Sequence, residues 1–261
     1  MTRFVLKFAY DGSQFQGSQT QKNGTGVEDL ILKTLKKTGL VSDRKGSNFQ
    51  LASRTDAGVH ALGNVLAFNT SKKVHLGQLN ALTAPRVVFW ALTETPNDFL
   101  PRHASSREYY YYAFAPKASE QEINSLAQGL LGDHSFHNFS NDPEKTNSTI
   151  LKAQVERKGD FLVFYFKGTH FRRQQVRRMV QYLLRSKLEA WPSLEQLFDE
   201  GRKFPIPPSP PEGLVLIGVE YKGLEFSAEE KAAELLRGLF FEESVSAKRK
   251  ALMLEYLSNS L

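Results

Sequence analysis

Cysteine is absent from the sequence. This absence excludes disulfide bonds, a thiolate nucleophile and zinc sites built on cysteine. No apolar run approaches the roughly 18 residues that a membrane-spanning helix needs. The chain opens with Met1-Thr2-Arg3 and passes directly into a strand-like segment, without the basic and apolar regions of a signal peptide. We therefore expect a cytoplasmic protein.

The charge balance is basic. Lysine and arginine number 34 against 28 acidic residues, which gives a formal charge of +6 over 261 residues. Hydrophobic residues make up 41% and charged residues 24%, as in ordinary globular proteins. The length suffices for one large domain or two modest ones. A basic surface is compatible with a polyanionic partner, but solubility alone explains it equally well.

Hydrophobic periodicity predicts strands and helices interspersed along the chain. The predicted strands are 4–10, 50–52, 64–68, 87–92, 109–114, 154–157, 161–166 and 214–221. The predicted helices are 25–37, 119–132 and 171–187, followed by two helices after residue 227. Thr25 and Glu28 form a capping-box pattern at the start of the first helix. Lys158-Gly159-Asp160 is a hairpin signal between two strands.

This order of elements indicates an α+β protein with a largely antiparallel sheet. A boundary near residues 103–106 divides it into two halves that each contain sheet and helix. We therefore predict an N-terminal half over 1–104, a C-terminal half over 105–224 and a helical appendage over 225–261.

The strongest candidate for a catalytic segment is the loop between the predicted strands 50–52 and 64–68. It reads Ser53-Arg54-Thr55-Asp56-Ala57-Gly58-Val59-His60-Ala61-Leu62-Gly63. Most aspartates in loops only cap turns, and Asp56 fits that interpretation on composition alone. However, loops held between strands often present functional side chains. Arg54 lies two residues before Asp56, suited to bind a nucleic-acid backbone or to fill the space of a displaced base.

This loop resembles the signature loop of the TruA family of tRNA pseudouridine synthases, and five further motifs follow in the family's order. The resemblance covers roughly residues 4–221. The matching residues are Tyr10-Asp11-Gly12-Ser13, Gly17 and Gln19; Phe99, Arg102, Ala104, Arg107, Tyr109 and Tyr111; Leu131-Gly132, Phe136 and Phe139; Phe171, Val176, Arg177 and Val180; and Glu212-Gly213-Leu214 with Leu216.

The resemblance implies the pseudouridine-synthase fold, in which two α+β halves with largely antiparallel sheets join around a central catalytic cleft. It implies isomerisation of uridine to pseudouridine on the 3′ side of the tRNA anticodon stem-loop, by a homodimer and without cofactor or metal. Asp56 matches the catalytic aspartate, Arg177 its arginine partner, and Tyr109 a tyrosine that stacks on the target uracil. We expect Arg54, Arg107, Tyr111 and Arg173 to contact the substrate.

Helix geometry by itself does not determine whether the Arg177 side chain points inward or towards solvent. At 100° per residue, Val176, Val180 and Leu183 centre the apolar stripe of the predicted helix 171–187, and Arg177 falls at its edge. Such an arginine either turns inward to a buried carboxylate or extends to solvent. Arg178 falls on the opposite face. The cations of this segment form either a phosphate-binding surface or a solvated helix face, namely Arg172, Arg173, Arg177, Arg178, Arg185 and Lys187.

The sequence departs from the family pattern at several positions. Ser18 occupies a position where the family often has tryptophan, and Glu28 one where glutamine is usual. Ser148-Thr149-Ile150 replaces an Arg-Thr-Ile element, and residues 177–181 read Arg-Arg-Met-Val-Gln where the family commonly has Arg-Asn-Ile-Val-Gly. None of these departures removes Asp56 or Tyr109.

Two other functions are compatible with parts of the sequence. One is a catalytically silent RNA-binding protein on the same scaffold, which the joint presence of Asp56, Tyr109 and Arg177 disfavours. The other is a hydrolase that uses Asp56 with His60, but no set of nucleophile, base and orienting group is identifiable. A metal site at His60 lacks a second histidine three or four residues away and acidic partners at ligand spacing, whereas His134 and His137 are three residues apart but lie in a loop rich in serine and asparagine.

Overall fold

The computed structural model describes residues 1–141, 146–186 and 191–259. The strands are β1 (Thr2–Tyr10), β2 (Gln50–Leu51), β3 (His60–Thr70), β4 (Val87–Thr95), β5 (Ser106–Phe114), β6 (Gly132–Ser135), β7 (Asn147–Lys158), β8 (Phe161–Gly168), β9 (Leu214–Glu220) and β10 (Ser227–Ala228). The helices are α1 (Val27–Lys37), α2 (Leu76–Thr83), α3 (Glu120–Gln128), α4 (Gln175–Arg185), α5 (Leu194–Phe198) and α6 (Glu230–Asn259).

These strands form one sheet in the order β10-β4-β1-β3-β9-β5-β8-β7-β6, with β2 added to β3. Neighbours within each half of the sheet are antiparallel. The halves meet where β3 and β9 run parallel, with His60 opposite Val215 and Ala61 opposite Leu216. The expected α+β fold of two largely antiparallel halves is confirmed, and the Asp56 loop leads directly into this junction.

Helices cover the sheet through their apolar faces. In the first half, Val27, Ile31 and Leu35 of α1 are fully buried, and α2 packs on β4. In the second half, α3 packs on β7 and α4 on β5. Because α4 carries Arg177, its packing brings that residue towards the tyrosine-rich strand β5.

The start of α1 differs from the predicted capping box. Gly26, not Thr25, is the N-cap, and its backbone N–H donates to the Asp29 carboxylate at 2.9 Å. A side chain at Gly26 would collide with the Gln19 carbonyl oxygen. Glu28 instead accepts the backbone N–H of Thr20 and pairs with Arg44 at 2.8 Å. The capping motif is therefore shifted by one residue, because the chain before the helix doubles back on it.

Two predicted helices are longer than the observed ones. α3 ends at Gln128 rather than at Gly132, which instead opens β6 with a φ of +100°. α4 begins at Gln175 rather than at Phe171, because Gln174 adopts a left-handed conformation with φ +63°. The predicted end of α4 at Lys187 lies outside the described residues.

The C-terminal region also differs from the prediction. After β10, which pairs with β4, the chain forms the single 30-residue helix α6 instead of two helices. Ala232 and Leu236 at its start are buried against the first half. The sequence pattern missed α2, because a helix of eight residues is too short to establish a helical period. None of the described helices is both long and apolar enough to span a membrane.

Candidate active site

The backbone before Asp56 is fixed by two residues of the N-terminal region. Ser18 is fully buried, its Oγ accepts the Thr55 N–H at 2.8 Å, and its N–H donates to the Thr55 carbonyl at 3.0 Å. The hydroxyl groups of Tyr10 and Thr55 share a hydrogen bond of 2.7 Å. Burial raises the pKa of Tyr10 to about 12, so the phenol keeps its proton. The loop therefore presents Asp56 from a braced backbone.

A close approach of backbones braces the other end of the loop. A Cβ on Gly12 would lie 2.1 Å from the Val59 carbonyl oxygen, so only glycine fits there. The Val59 N–H in turn donates to the Asp56 carbonyl at 3.2 Å and closes a turn. Asn64 supports the loop from β3 by donating to the Ser53 carbonyl at 3.0 Å.

Asp56 and Arg177 form an ion pair although 121 residues separate them in the sequence. Arg177 Nη1 lies 2.9 Å from a carboxylate oxygen of Asp56. The Arg177 side chain is 10% exposed and that of Asp56 is 28% exposed. The guanidinium therefore turns inward, and its partner carboxylate keeps a surface that a ligand can reach.

A proline-rich segment fixes the arginine on its other side. Arg177 Nε donates to the Ser209 carbonyl at 2.7 Å, and the Ser209 N–H donates back to the Arg177 carbonyl at 3.1 Å. Ser209 Oγ also donates to Gln181 Oε1 at 3.0 Å. Since Nε and Nη1 point in fixed directions on a planar group, these bonds orient Arg177 towards Asp56.

Tyr109 lies close enough to Asp56 for the two groups to interact electrostatically. It is 7% exposed, and its ring meets that of Phe171 edge-on at 5.2 Å between centroids. Burial raises the pKa of Tyr109 above its ordinary value; nearby Arg107 opposes the shift, whereas Tyr10 and Asp56 reinforce it. The phenol is therefore a neutral hydroxyl close to an anionic carboxylate. The structure thus brings together Asp56, Arg177 and Tyr109.

Arg107 and Tyr111, two of the expected substrate contacts, are buried and already have partners. Arg107 donates to the backbone carbonyls of Ala104 and Thr169 at 3.3 and 2.6 Å, and to that of Arg102 at 2.5 Å. Tyr111 donates to the Pro210 carbonyl at 2.9 Å. Burial raises the pKa of Tyr111 above its ordinary value. Both side chains therefore hold the walls of the site in this structure.

Arg54 and Arg173, the other expected substrate contacts, are exposed. Within the described part of the chain, neither makes a hydrogen bond or ion pair. Arg54 lies within the Asp56 loop, and Arg173 lies in the turn that leads into α4. Both therefore present a full positive charge to solvent near the ion pair.

The prediction that the cations of α4 form an exposed face is partly wrong. Arg178 is 8% exposed, because the segment after α5 packs over it. Its guanidinium donates to the Ile206 carbonyl and to Asn141 Oδ1. Arg172 donates to the Asn147 carbonyl at 2.8 Å. Arg178 is thus a structural residue, unavailable to phosphate.

The three candidate histidines, His60, His134 and His137, have structural partners. His60 Nδ1 lies 3.1 Å from an Asp11 carboxylate oxygen and 3.3 Å from the Gly12 nitrogen. His134 stacks on Phe198 at 4.1 Å, and His137 Nε2 lies 2.8 Å from the Arg202 carbonyl oxygen. Among the described residues, no group of three or more histidine, aspartate or glutamate side chains is arranged to hold a metal ion.

Sequence reasoning missed the residues that brace the site, notably Ser18, Ser209 and Pro210. Ser18 stands out in the sequence only as a departure from the family pattern. The run of prolines at 205–211 indicates an extended segment, but nothing local indicates that its carbonyls face Arg177 and Tyr111. These hydrogen bonds join segments that are distant in the sequence. The local spacing of apolar residues therefore cannot predict them.

A family model described as tRNA pseudouridine synthase matches residues 126–222, from the end of α3 to just beyond β9. The fold, the site and this match place the chain among the pseudouridine synthases, which are isomerases. Curated relatives extend the match over nearly the whole chain. The tRNA pseudouridine synthase A of Thermococcus sibiricus is 36% identical over 260 residues, which cover 97% of each chain.

Two further relatives carry the same name. That of Pyrococcus abyssi is 37% identical over 240 residues, covering 88% of this chain and 89% of the relative. That of Methanocella arvoryzae is 35% identical over 246 residues, covering 88% of each. The chain therefore belongs to the tRNA pseudouridine synthase A family, and the resemblance to TruA is confirmed.

Proposed function

We propose that the protein converts a uridine of tRNA to pseudouridine, with Asp56 as the essential carboxylate. The observation that carries the proposal is the 2.9 Å ion pair between Asp56 and Arg177 at the junction of the two half-sheets. Part of the Asp56 carboxylate stays exposed in this pair. The Arg177 guanidinium beside it is held in place by the Ser209 carbonyl. A partly exposed anion held by a planar cation is well placed to act as a nucleophile or as an anionic stabiliser.

The reaction explains why so few groups suffice. The N1–C1′ bond of uridine breaks, the uracil turns, and C5 bonds to C1′ while the C5 proton is released and N1 gains a proton. Atoms and electrons balance within the nucleotide, so the chemistry requires no redox cofactor and no imported group. The Asp56 carboxylate either adds to C6 of the uracil or assists departure of the base at C1′. The present geometry is compatible with both routes.

The neighbours of Asp56 have separate tasks in this proposal. Arg177 favours the ionised carboxylate and fixes its direction. Tyr109 offers a ring for the displaced uracil and a neutral hydroxyl near C5. Arg54 and Arg173 bind phosphates, because they are exposed and lack other partners within the described residues.

Arg107 and Tyr111 remain predicted substrate contacts. Their hydrogen bonds to backbone carbonyls support an additional role in positioning the chain around the site. Truncating either side chain would leave those carbonyls without a donor. Such a change would disturb the site even where no substrate atom is touched.

The resemblance supplies the finer parts of the proposal. The target is a uridine on the 3′ side of the anticodon stem-loop, and the active form is a homodimer. The chain's net charge of +6 is compatible with a polyanionic substrate. The relatives' shared name supports tRNA as that substrate.

The test is incubation of the protein with unmodified bulk tRNA, followed by mapping of pseudouridine at single-nucleotide resolution. We expect new pseudouridine on the 3′ side of the anticodon arm, without added metal or cofactor. Pseudouridine elsewhere in tRNA would overturn the proposed target only. Tight tRNA binding with no pseudouridine at any position would favour the catalytically silent RNA-binding alternative.

A further inference from the structure

One buried hydroxyl of the Asp56 loop lacks a hydrogen-bond partner among the described residues. Ser53 is 8% exposed, and its Oγ forms no hydrogen bond of ordinary geometry with that part of the chain. A buried hydroxyl without a partner costs free energy, so each such group in a native structure requires an explanation. The Ser53 hydroxyl therefore indicates a bond that is completed when the site is occupied.

The backbone around Ser53 is fixed, which gives its side chain a defined direction. Asn64 donates to the Ser53 carbonyl at 3.0 Å. Along the segment, Ser53 is buried, Arg54 is exposed and Thr55 is half-buried. The Thr55 hydroxyl on the inner side shares its 2.7 Å hydrogen bond with Tyr10. Ser53 and Thr55 therefore both face the interior, on the side where Tyr10 lies.

The strand register places Tyr109 on the same face of the sheet as Tyr10. Ala61 of β3 lies opposite Tyr10 of β1. Leu216 of β9 lies opposite both Ala61 and Tyr109 of β5. Directly opposite residues in a sheet point to the same face, and these four side chains are buried in one cluster. The inner side of residues 53–55 therefore faces a row of side chains with a tyrosine at each end.

The hydroxyl groups of Ser53 and Tyr109 interact. Burial raises the pKa of Tyr109 above its ordinary value, whereas the Ser53 hydroxyl, like Arg107, acts in the opposite direction. A hydroxyl lowers the pKa of a phenol by donating to its oxygen, because the donated bond stabilises the phenolate. The reverse direction would leave the Ser53 proton buried without an acceptor among the described residues. Ser53 is therefore the donor and Tyr109 the acceptor.

We propose that Ser53 is a positioning residue for Tyr109, whose phenol oxygen accepts a hydrogen bond from Ser53 Oγ once the displaced uracil fills the cleft. This bond fixes the phenol oxygen from the protein side and turns the phenol proton towards the base. No covalent bond forms or breaks at Ser53. The inference rests on the proposed function, in which Tyr109 holds a neutral hydroxyl near C5 of the uracil.

The kinetic test is a double-mutant cycle between Ser53 and Tyr109, read as the single-turnover rate of pseudouridine formation. S53A should lower this rate about tenfold and leave tRNA affinity unchanged, whereas in Y109F it should change the rate by less than about twofold. The reason is that phenylalanine has no oxygen to accept the bond. S53T keeps a hydroxyl and should recover most of the rate.

The matched control is S13A, which removes a hydroxyl that donates to Asp11 at 2.8 Å and should leave the rate unchanged. If S53A slowed wild type and Y109F by the same factor, the proposal would be overturned. Such a result would show that Ser53 supports the loop without acting through the phenol oxygen.

A second measurement does not depend on activity. A ring-fluorinated tyrosine in place of Tyr109 has a lower phenol pKa and gives a fluorine NMR signal that follows its ionisation. In the free protein, S53A should raise this pKa, because the ionised phenol loses a donor, and S13A should leave it unchanged. Equal pKa values with and without the Ser53 hydroxyl would overturn the bond. A pKa raised by S53A in a protein that makes no pseudouridine would overturn the proposed function and leave the Ser53–Tyr109 bond in place.

Discussion

At the scale of single residues, Asp56 is held in place by groups from two distant parts of the chain, the segment 10–18 and α4. Ser18 and Tyr10 fix Thr55, Gly12 lies against Val59, and Arg177 pairs with the carboxylate itself. The side chain is therefore aimed before any substrate binds. In the proposed reaction, preorganised charge of this kind would reduce the reorganisation that the chemical step otherwise requires.

Asp56→Asn should abolish turnover while preserving substrate affinity. Asparagine has the same shape but is neither a nucleophile nor an anion, so the rate should fall below about a hundredth of wild type. Single-turnover pseudouridine formation and tRNA binding, measured side by side, check this. Retained turnover above that level would remove Asp56 from its proposed role.

Arg177→Ala should reduce the rate of the chemical step at least about 100-fold and leave tRNA affinity within a few-fold, because a partly buried carboxylate loses its partner. Arg177→Lys should recover only part of the rate, since an ammonium cannot bond Asp56 and Ser209 in the same planar geometry. Arg173→Ala, an exposed arginine nearby, is the control and should mainly affect affinity. A loss confined to affinity in Arg177→Ala would assign this residue to RNA binding.

Ser18→Ala should lower turnover about tenfold with little change in affinity. The substitution leaves the Thr55 N–H without its acceptor and loosens the backbone before Asp56. Ser13→Ala removes an exposed hydroxyl of the same region that donates to Asp11 and not to Thr55, and it should leave turnover unchanged. Steady-state kinetics separate the cases, because unchanged turnover in Ser18→Ala would show that the loop is held without this hydrogen bond.

At the scale of elements, α4 and the turn before it place arginines in two different environments, one buried and one exposed. Its inward residues Arg177 and Arg178 bond to the segment after α5, at Ser209 and Ile206. Arg173, just before the helix, stays exposed because the left-handed turn at Gln174 delays the start of α4. The late start therefore leaves a cation free at the rim of the site.

Arg173→Ala should weaken tRNA binding and make it less sensitive to salt. Removing an arginine that neutralises one phosphate should reduce the slope of log affinity against log salt by roughly 0.7 to 0.9. Titrations at several salt concentrations measure this slope. Lys158→Ala, at the far end of the β7–β8 hairpin, should leave the slope unchanged. An unchanged slope in Arg173→Ala would make this arginine part of a merely solvated surface.

At the scale of the whole molecule, the two half-sheets depend on the junction of β3 with β9. The end of β9 is fastened by Glu220, whose carboxylate accepts from Lys167 at 2.7 Å and from Ser106 at 2.8 Å. Lys167 also pairs with Glu108 at 2.9 Å. These groups connect β9 to β5 and β8 on one side of the junction.

Stability should depend on the ionisation of Glu220. The bonds from Lys167 and Ser106 lower its pKa from 4.5 to about 2. This contribution is therefore complete above the unfolded-state pKa near 4.5 and is lost as the pH falls through about 2. Glu220→Gln should destabilise the protein at neutral pH by about 1 kcal/mol or less, since the pair is half exposed.

Urea denaturation at several pH values measures this effect. The difference between wild type and Glu220→Gln should shrink as the pH is lowered from 4.5 towards 2. Glu156→Gln, which removes an exposed carboxylate 3.8 Å from Lys158, should show no comparable trend. A difference that stayed constant with pH would show that shape, rather than charge, accounts for the role of Glu220.

The sequence by itself determined most strands and the family. Alternation of apolar residues predicted β1, and Gly159 predicted the β7–β8 hairpin, because both signals are local. Helix ends were less predictable. The end of α3 and the start of α4 differ from the prediction, and Gly132 and Gln174 near these points adopt left-handed backbone conformations. The spacing of apolar residues carries no information about such conformations.

Only the tertiary structure decided how the site is assembled. The motifs named Asp56 and Arg177, but helix geometry left Arg177 free to face solvent, and packing of the segment around Ser209 turned it inward. The same packing buried Arg178, which the helical angle had placed in water. The spacing of apolar residues gives the angle of a residue around its own helix. Its burial depends on which distant segment packs against that side of the helix.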